Sequence, residues 1–322
     1  MSFGDDVLGY FTERLDVERL RRAAVGVVRQ AKRNKAFQES RWIGLAIDGT
    51  GAGRSREKKC EGCRPIRNKK KEIVGYHHTL VMVSVVGTGL SLPLDVEPYG
   101  PGDSEYAAGQ RLLQRAVKNL GSRFADYSVV DGEFATAPFL HTVGDMGMKV
   151  VARLKGNLPE LSQAAQQRFA SKPPDRKFQD GRDRVEIWDA DDFDPWDTLR
   201  WKTVRVIRYR QHKPDGKVVE AYWLTDFSKS EAGSQALYRM AKSRWEIENQ
   251  GFNDAKNRYG LEHICHHQPN SLLINWLIIA LTLTLERLYR NRYLHRGSHR
   301  VLEAVDLYRL LWISLGRLPD SS

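Results

Sequence analysis

Cysteine is scarce in this chain: three among 322 residues, too few for the disulfide framework on which small secreted domains rely. A reducing, cytoplasmic setting is the expectation. The N-terminus, Met1-Ser2-Phe3-Gly4-Asp5-Asp6, has neither the basic region nor the apolar stretch of a leader. Long apolar runs are missing as well. The longest, at 272–285, is broken by Asn275, Thr282 and Thr284, and is shorter than the roughly 20 residues a membrane helix requires. No membrane partner is expected. Acidic residues are in deficit, 40 against 51 Lys and Arg, for a net charge of +11, which points to a polyanionic partner. A hydrophobic fraction of 41% is enough for a real core, so disorder is set aside. The length suits about two domains.

Apolar spacings of three and four predict helices over 7–15 and 17–30, with Asp16 as N-cap of the second. Their polar faces hold Arg14, Arg19, Arg21, Arg22, Arg29, Lys32, Arg33 and Lys35, a solvated face or one that touches a nucleic-acid backbone. A strand over 43–47 ends at Asp48-Gly49-Thr50-Gly51, and a basic loop over 54–71 carries Cys60 and Cys63. Strands over 73–86 and 90–96 meet at the turn Gly87-Thr88-Gly89. Asp103 starts a helix to about residue 120. A strand over 127–130 ends at Asp131, a helix covers 135–146, and a strand follows over 149–154. Within 156–230, Lys213-Pro214-Asp215-Gly216 separates strands over 203–209 and 218–224. Eight acidic residues between 180 and 197 match no calcium-loop spacing and read as a solvated loop. Helices are expected over 231–258, 271–293 and 301–315. The chain thus divides into an N-terminal helical segment (1–41), the first part of a core (42–155), a β-rich insertion (156–230) and C-terminal core helices (231–322). The order predicts an α/β fold, a mixed sheet with helices on both faces.

Asp48 and Asp131 each end a short apolar strand and precede a glycine. Either could be a turn residue alone. Together, two carboxylates at one sheet edge can share a hard divalent cation, which prefers oxygen ligands. Arg244 and Glu248 lie four apart on a helical stretch and so share a face. By themselves they are a surface ion pair; beside the two aspartates, Glu248 is a third carboxylate.

Asp48-Gly49-Thr50-Gly51, Val129-Val130-Asp131-Gly132 and Arg244-Trp245-Glu246-Ile247-Glu248-Asn249-x-Gly251-Phe252-Asn253-x-x-Lys256 resemble the motifs of bacterial insertion-sequence DDE transposases. The last is similar to that group's Tyr-x2-Arg-x3-Glu-x6-Lys signature, and the resemblance spans roughly 42–290. It implies an RNase H-like core with a β-rich insertion between the second Asp and the Glu, for which the spacings of 83 and 117 residues leave room. It further implies Mg²⁺ (or Mn²⁺) held by Asp48, Asp131 and Glu248, with Asp48 shared between two ions and Arg244 facing a phosphate. The partners implied are double-stranded DNA, as terminal inverted repeats and as target, and a second copy of the chain when the ends are synapsed. Arg54, Arg56, Lys58, Lys59, Arg64, Arg67, Lys69, Lys70 and Lys71 supply nine positive charges near Asp48 and suit a DNA backbone, with Lys256 as a further contact. Two departures stand out. Ala241 replaces the signature Tyr, with Tyr238 one turn earlier, and Lys256 follows Glu248 by eight residues rather than seven.

Cys60-x2-Cys63 and His263-x3-His267 have the spacings of a two-Cys, two-His zinc site. Cys265 and His266 are extra candidates, and free thiols with DNA-facing histidines are the alternative. His77 and His78 are expected to make core or substrate-side hydrogen bonds. Two other functions compete with strand transfer: a catalytically silent, transposase-derived DNA-binding protein, and an actin-like or sugar-kinase-type ATPase, which shares the Asp-Gly-Thr-Gly opening but gives Arg244 and Glu248 no role.

Overall fold

The computed structural model describes residues 5–264, 266–294 and 304–315. Two helices, α1 (Asp5–Glu13) and α2 (Val17–Arg33), open the chain, and Asp16 caps α2 by accepting from the Glu18 and Arg19 amides. Strands β1 (Gly44–Ser55), β2 (Arg64–Arg67), β3 (Ile73–Val86) and β4 (Leu92–Pro98) follow. Next come α3 (Glu105–Leu120), β5 (Tyr127–Val130), α4 (Ala137–Asp145) and β6 (Lys149–Leu154). Then α5 (Pro159–Ala170) precedes β7 (Arg176–Asp180), β8 (Asp183–Phe193), β9 (Val204–His212) and β10 (Val218–Thr225). The chain continues as α6 (Ser234–Glu246), a π turn (Ile247–Phe252), α7 (Asn253–Tyr259), α8 (Pro269–Tyr289) and α9 (Ala304–Leu315).

All the strands belong to one sheet, in the order β2-β3-β1-β5-β6-β10-β9-β8-β7, with β4 also paired to β3. Its centre is an RNase H-like arrangement. β4 and β1 each pair antiparallel with β3, whereas β1, β5 and β6 run parallel. β10 joins antiparallel to β6, so β7–β10 extend the same sheet. Alternation along the strands divides the core in two. Leu45, Ile47, Val81, Val83 and Val85 face α2, α3 and α4. Ala46, Leu80, Met82 and Val86 face α6 and α8. Burying each large aliphatic side chain contributes about 1.5–3 kcal/mol, and this two-sided burial fixes the strand register, because a slip of one would exchange the faces.

Several expectations need correcting. β1 does not stop at residue 47; it runs to Ser55, paired with β3 throughout, so Asp48 lies within a strand opposite Met82. The basic segment is partly strand, since β2 pairs with β3. Ser104, not Asp103, caps α3, and Asp103 instead accepts from Arg111. The acidic stretch is not a solvated loop: most of it is β8, and Asp189 is buried against Arg205 at 2.6 Å. Arg21 is not on a solvated face either. It is buried and donates to Asp95 at 3.0 Å, linking α2 to β4.

The helix from Pro269 to Tyr293 is long and apolar enough to cross a membrane by composition, yet 56% of its most apolar window is buried inside the fold. Thr284 donates to the Pro93 carbonyl, which fixes this helix against β4.

Candidate active site

Two strands and one helix bring the carboxylates together. The parallel register pairs Gly44 with Tyr127 and Ala46 with Val129. Extending it two residues sets Asp131 beside Asp48, at the level where β5 ends and β1 runs on with β3 alone. Each carboxylate accepts from the amide of the glycine that follows it, at 3.0 Å from Gly49 and 2.7 Å from Gly132.

The third carboxylate comes from the other side of the sheet edge. Arg244 on α6 is buried, and its fork reaches Asp48 Oδ2 at 3.0 Å and Glu248 Oε1 at 2.7 Å. One guanidinium therefore spans two carboxylates, which its planar geometry suits. Asp131 has its own cation, Lys155, at 2.7 Å, and Asn157 donates to the Gly132 carbonyl at 2.6 Å. Burial pushes the Asp48 carboxyl up to about 7, a rise that Arg244 only partly offsets and that Glu248 reinforces. Burial acts the same way on Asp131, but there Lys155 and the Gly132 amide outweigh it and hold the carboxyl below its usual range. The three carboxylates make an all-oxygen donor set, which fits hard divalent ions.

Three residues at this site carry no flag in the sequence. Lys155 and Asn157 follow an ordinary strand end. Glu105 opens α3, where an acidic residue usually means only a favourable helix dipole. Its carboxyl nevertheless lies over Gly49, where a β-carbon would come within 2.3 Å of it, and Tyr99 donates to it at 3.0 Å. Burial raises its pKa, helped by the nearby Glu133 and Asp131 charges.

The signature's departures have structural counterparts. In an α-helix, eight residues turn about 800°, which would carry Lys256 about 80° past the Glu248 face. A π turn accommodates an additional residue per turn. The Ile247–Phe252 π turn, closed by the Asn253 amide on the Glu248 carbonyl, thus absorbs the extra residue. Lys256 rests 3.3 Å from Glu262. Tyr238 does not substitute for a tyrosine at 241: it is buried, and its hydroxyl donates to Asp180 at 2.7 Å.

The sequence-based metal tetrad changes by one member. Cys60, Cys63 and His267 converge with His78, not with His263. His263 is exposed and lines the same cleft as Cys63, His78 and His267 without joining their converging group, while His266 turns toward Glu13. The His-x3-His spacing of a two-Cys, two-His site pointed to His263, but His78 on β3 takes that place, and among the described residues α8 begins only at Pro269. Cys265 lies outside the described residues. Arg54, Arg56, Lys58, Lys59, Lys69, Lys70 and Lys71 are all exposed on the β1–β3 ribbon and its connections.

A mixed sheet of this order, with acidic groups where its central parallel strands end, makes an α/β core with a carboxylate-lined edge. The chain matches the transposase DDE domain over residues 41–285, and it belongs to that family. Among curated proteins no relative matches the chain. Among solved structures it is similar to the piggyBac transposase, determined by cryo-EM as a synaptic complex with hairpin DNA. That likeness has a TM-score of 0.46 and 15% identity, and covers 84% of this chain and 52% of the other. The chain therefore spans about half the length of that relative.

Proposed function

We propose that this transposase cleaves DNA at the ends of a bacterial insertion sequence and transfers the freed 3′-ends to target DNA, with Mg²⁺ or Mn²⁺ held by Asp48, Asp131 and Glu248. The observation that carries this reading is the single Arg244 guanidinium shared by Asp48 and Glu248, with Asp131 just past the end of β5, the strand that pairs in parallel with β1. Divalent ions at such carboxylates supply an activated water or 3′-hydroxyl and stabilise the leaving oxygen. The chain's own groups do the rest. Arg244 sets the spacing between Asp48 and Glu248. Lys155 holds Asp131, and Asn157 fixes the backbone that follows it. Arg54, Arg56, Lys58, Lys59, Lys69, Lys70 and Lys71 bind backbone phosphates, and Lys256 adds a contact from the helix that carries Glu248. Two copies act together on paired element ends, in the bacterial cytoplasm at the nucleoid.

The test is incubation of the purified chain with a duplex bearing the inverted repeat that flanks its gene, with Mg²⁺, Mn²⁺ or chelator. Expected are a divalent-dependent nick leaving a 3′-hydroxyl and its joining to a supercoiled plasmid. Binding of the end with no cleavage in either metal would instead establish a silent DNA-binding protein.

A further inference from the structure

Cys60 and Cys63 lie in the connection between β1 and β2, His78 on β3, and His267 just before α8. Their ligand atoms are all within 4.8 Å of one another. Two thiolates and an imidazole on one tetrahedral zinc, at about 2.3 Å and about 2.0–2.1 Å, stand about 3.8 Å (S···S) and about 3.5 Å (S···N) apart. Here Cys60 Sγ is 3.5 Å from Cys63 Sγ, and His78 Nε2 is 3.6 Å and 3.4 Å from the two sulfurs. His267 supplies the fourth corner, and its Nδ1 is buried without a hydrogen-bond partner. The Cys60 amide points at Cys63 Sγ at 3.3 Å, a contact that supports a thiolate.

We propose that Cys60, Cys63, His78 and His267 bind one structural Zn²⁺ that clasps the basic connection to the sheet and to the start of α8. Four protein ligands of this type close a zinc coordination sphere and leave no position for substrate, so the ion is distinct from those at Asp48, Asp131 and Glu248. It joins residues about 200 apart in sequence, a loop whose closure is costly for the chain alone. Its physical effect is local. Lys58 and Lys59 adjoin Cys60, and Arg64 adjoins Cys63, so the clasp presents these cations as a fixed array rather than a floppy segment. The proposal does not depend on the strand-transfer chemistry and can stand or fall separately from it.

The experiment uses full-length protein, purified under reduction without a metal-affinity tag and dialysed against buffer. Elemental analysis is expected to give about one zinc per chain, and X-ray absorption at the zinc edge a shell of two sulfurs and two nitrogens at about 2.3 Å and about 2.0–2.1 Å. Because that measurement is on the wild type, it does not depend on any variant folding. His78→Gln and Cys60→Ser should lose the zinc, whereas His263→Ala should keep it. Stripping zinc with a strong chelator should speed tryptic cleavage after Lys58 and Lys59 at least several-fold over cleavage elsewhere. Less than about 0.2 zinc per chain after refolding with excess Zn²⁺, or an oxygen-dominated shell, overturns the proposal. Retention of zinc by His78→Gln with its loss from His263→Ala also overturns the assignment.

Discussion

At the scale of single residues, charge balance decides how the site is built. Asp48 and Glu248 would repel each other across the sheet edge without the guanidinium between them. Removing one carboxylate therefore changes both the metal ligands and the balance. Asp48→Ala, Asp131→Ala and Glu248→Ala are each expected to lower single-turnover cleavage by on the order of 10²–10³ or more, with DNA binding in chelator retained. Full activity in any one, measured on the same end-bearing duplex, would remove that residue from the site. Arg244→Lys tests the fork itself. A lysine keeps the charge but cannot reach two carboxylates in one plane. Cleavage should fall about 10²-fold, because a small misplacement of reacting groups is costly. DNA affinity should barely change, since Arg244 is buried and contributes one charge among many. A large drop in affinity with unchanged single-turnover cleavage would contradict this reading.

At the scale of elements, the helix carrying Glu248 is held by contacts from distant strands and helices. Tyr127 on β5 exchanges a hydrogen bond with Ser243 at 2.9 Å, next to Arg244. The Tyr127 ring fits only because residue 44 is glycine, where a β-carbon would lie 2.4 Å from the ring. Gly44→Ala should cost about 1–3 kcal/mol by overpacking. It should also lower cleavage, because a displaced Tyr127 shifts α6; an unchanged denaturation midpoint would show that the ring yields freely. The π turn is contacted by Arg287 of α8, which is buried and donates to the Gln250 and Ser91 carbonyls and, at 3.0 Å, to Asp254. Such dependence explains what the sequence could reveal. The strands at 127–130 and 149–154 are legible because each is a short apolar run with polar ends, and Asp131 stands at the first one's end. The Glu248–Lys256 spacing looks like a flaw in the signature, because the π turn that absorbs the extra residue has no mark in the sequence pattern. His78 is hidden for the same kind of reason. Its strand neighbours suggest core, and only the return of the chain at Cys60, Cys63 and His267 gives it ligand partners.

At the scale of the whole molecule, β7–β10 and the basic β1–β3 ribbon occupy opposite ends of one sheet, and α6 follows directly from the former. Arg205 on β9 is buried, forms a double contact with Asp189, and donates to the carbonyls of Phe227 and Ala232 just before α6. Asp189→Ala strands that charge and should cost about 3–5 kcal/mol, whereas the double change Asp189→Leu with Arg205→Met should be far milder. Urea midpoints compare the two; equal destabilisation would mean that packing, not the uncompensated charge, dominates. The proposed DNA contacts lie at the opposite end of the sheet. Arg54, Arg56, Lys58, Lys59, Lys69, Lys70 and Lys71 are exposed, so each is free to displace a counterion from a DNA phosphate. Replacing Lys69, Lys70 and Lys71 together with alanine should weaken binding to specific and unrelated duplexes alike. It should also reduce the slope of log affinity against log salt by up to about 3, or about 0.9 for each phosphate that is no longer neutralised. The zinc clasp sharpens this expectation, because Lys58 and Lys59 sit on the clasped turn and Lys69, Lys70 and Lys71 lie beyond β2. Chelating the zinc should therefore reduce the slope contributed by Lys58 and Lys59 while leaving that of the triple lysine cluster intact. A binding slope unaffected by all three lysine changes would move the DNA path off this ribbon and onto another basic face of the molecule.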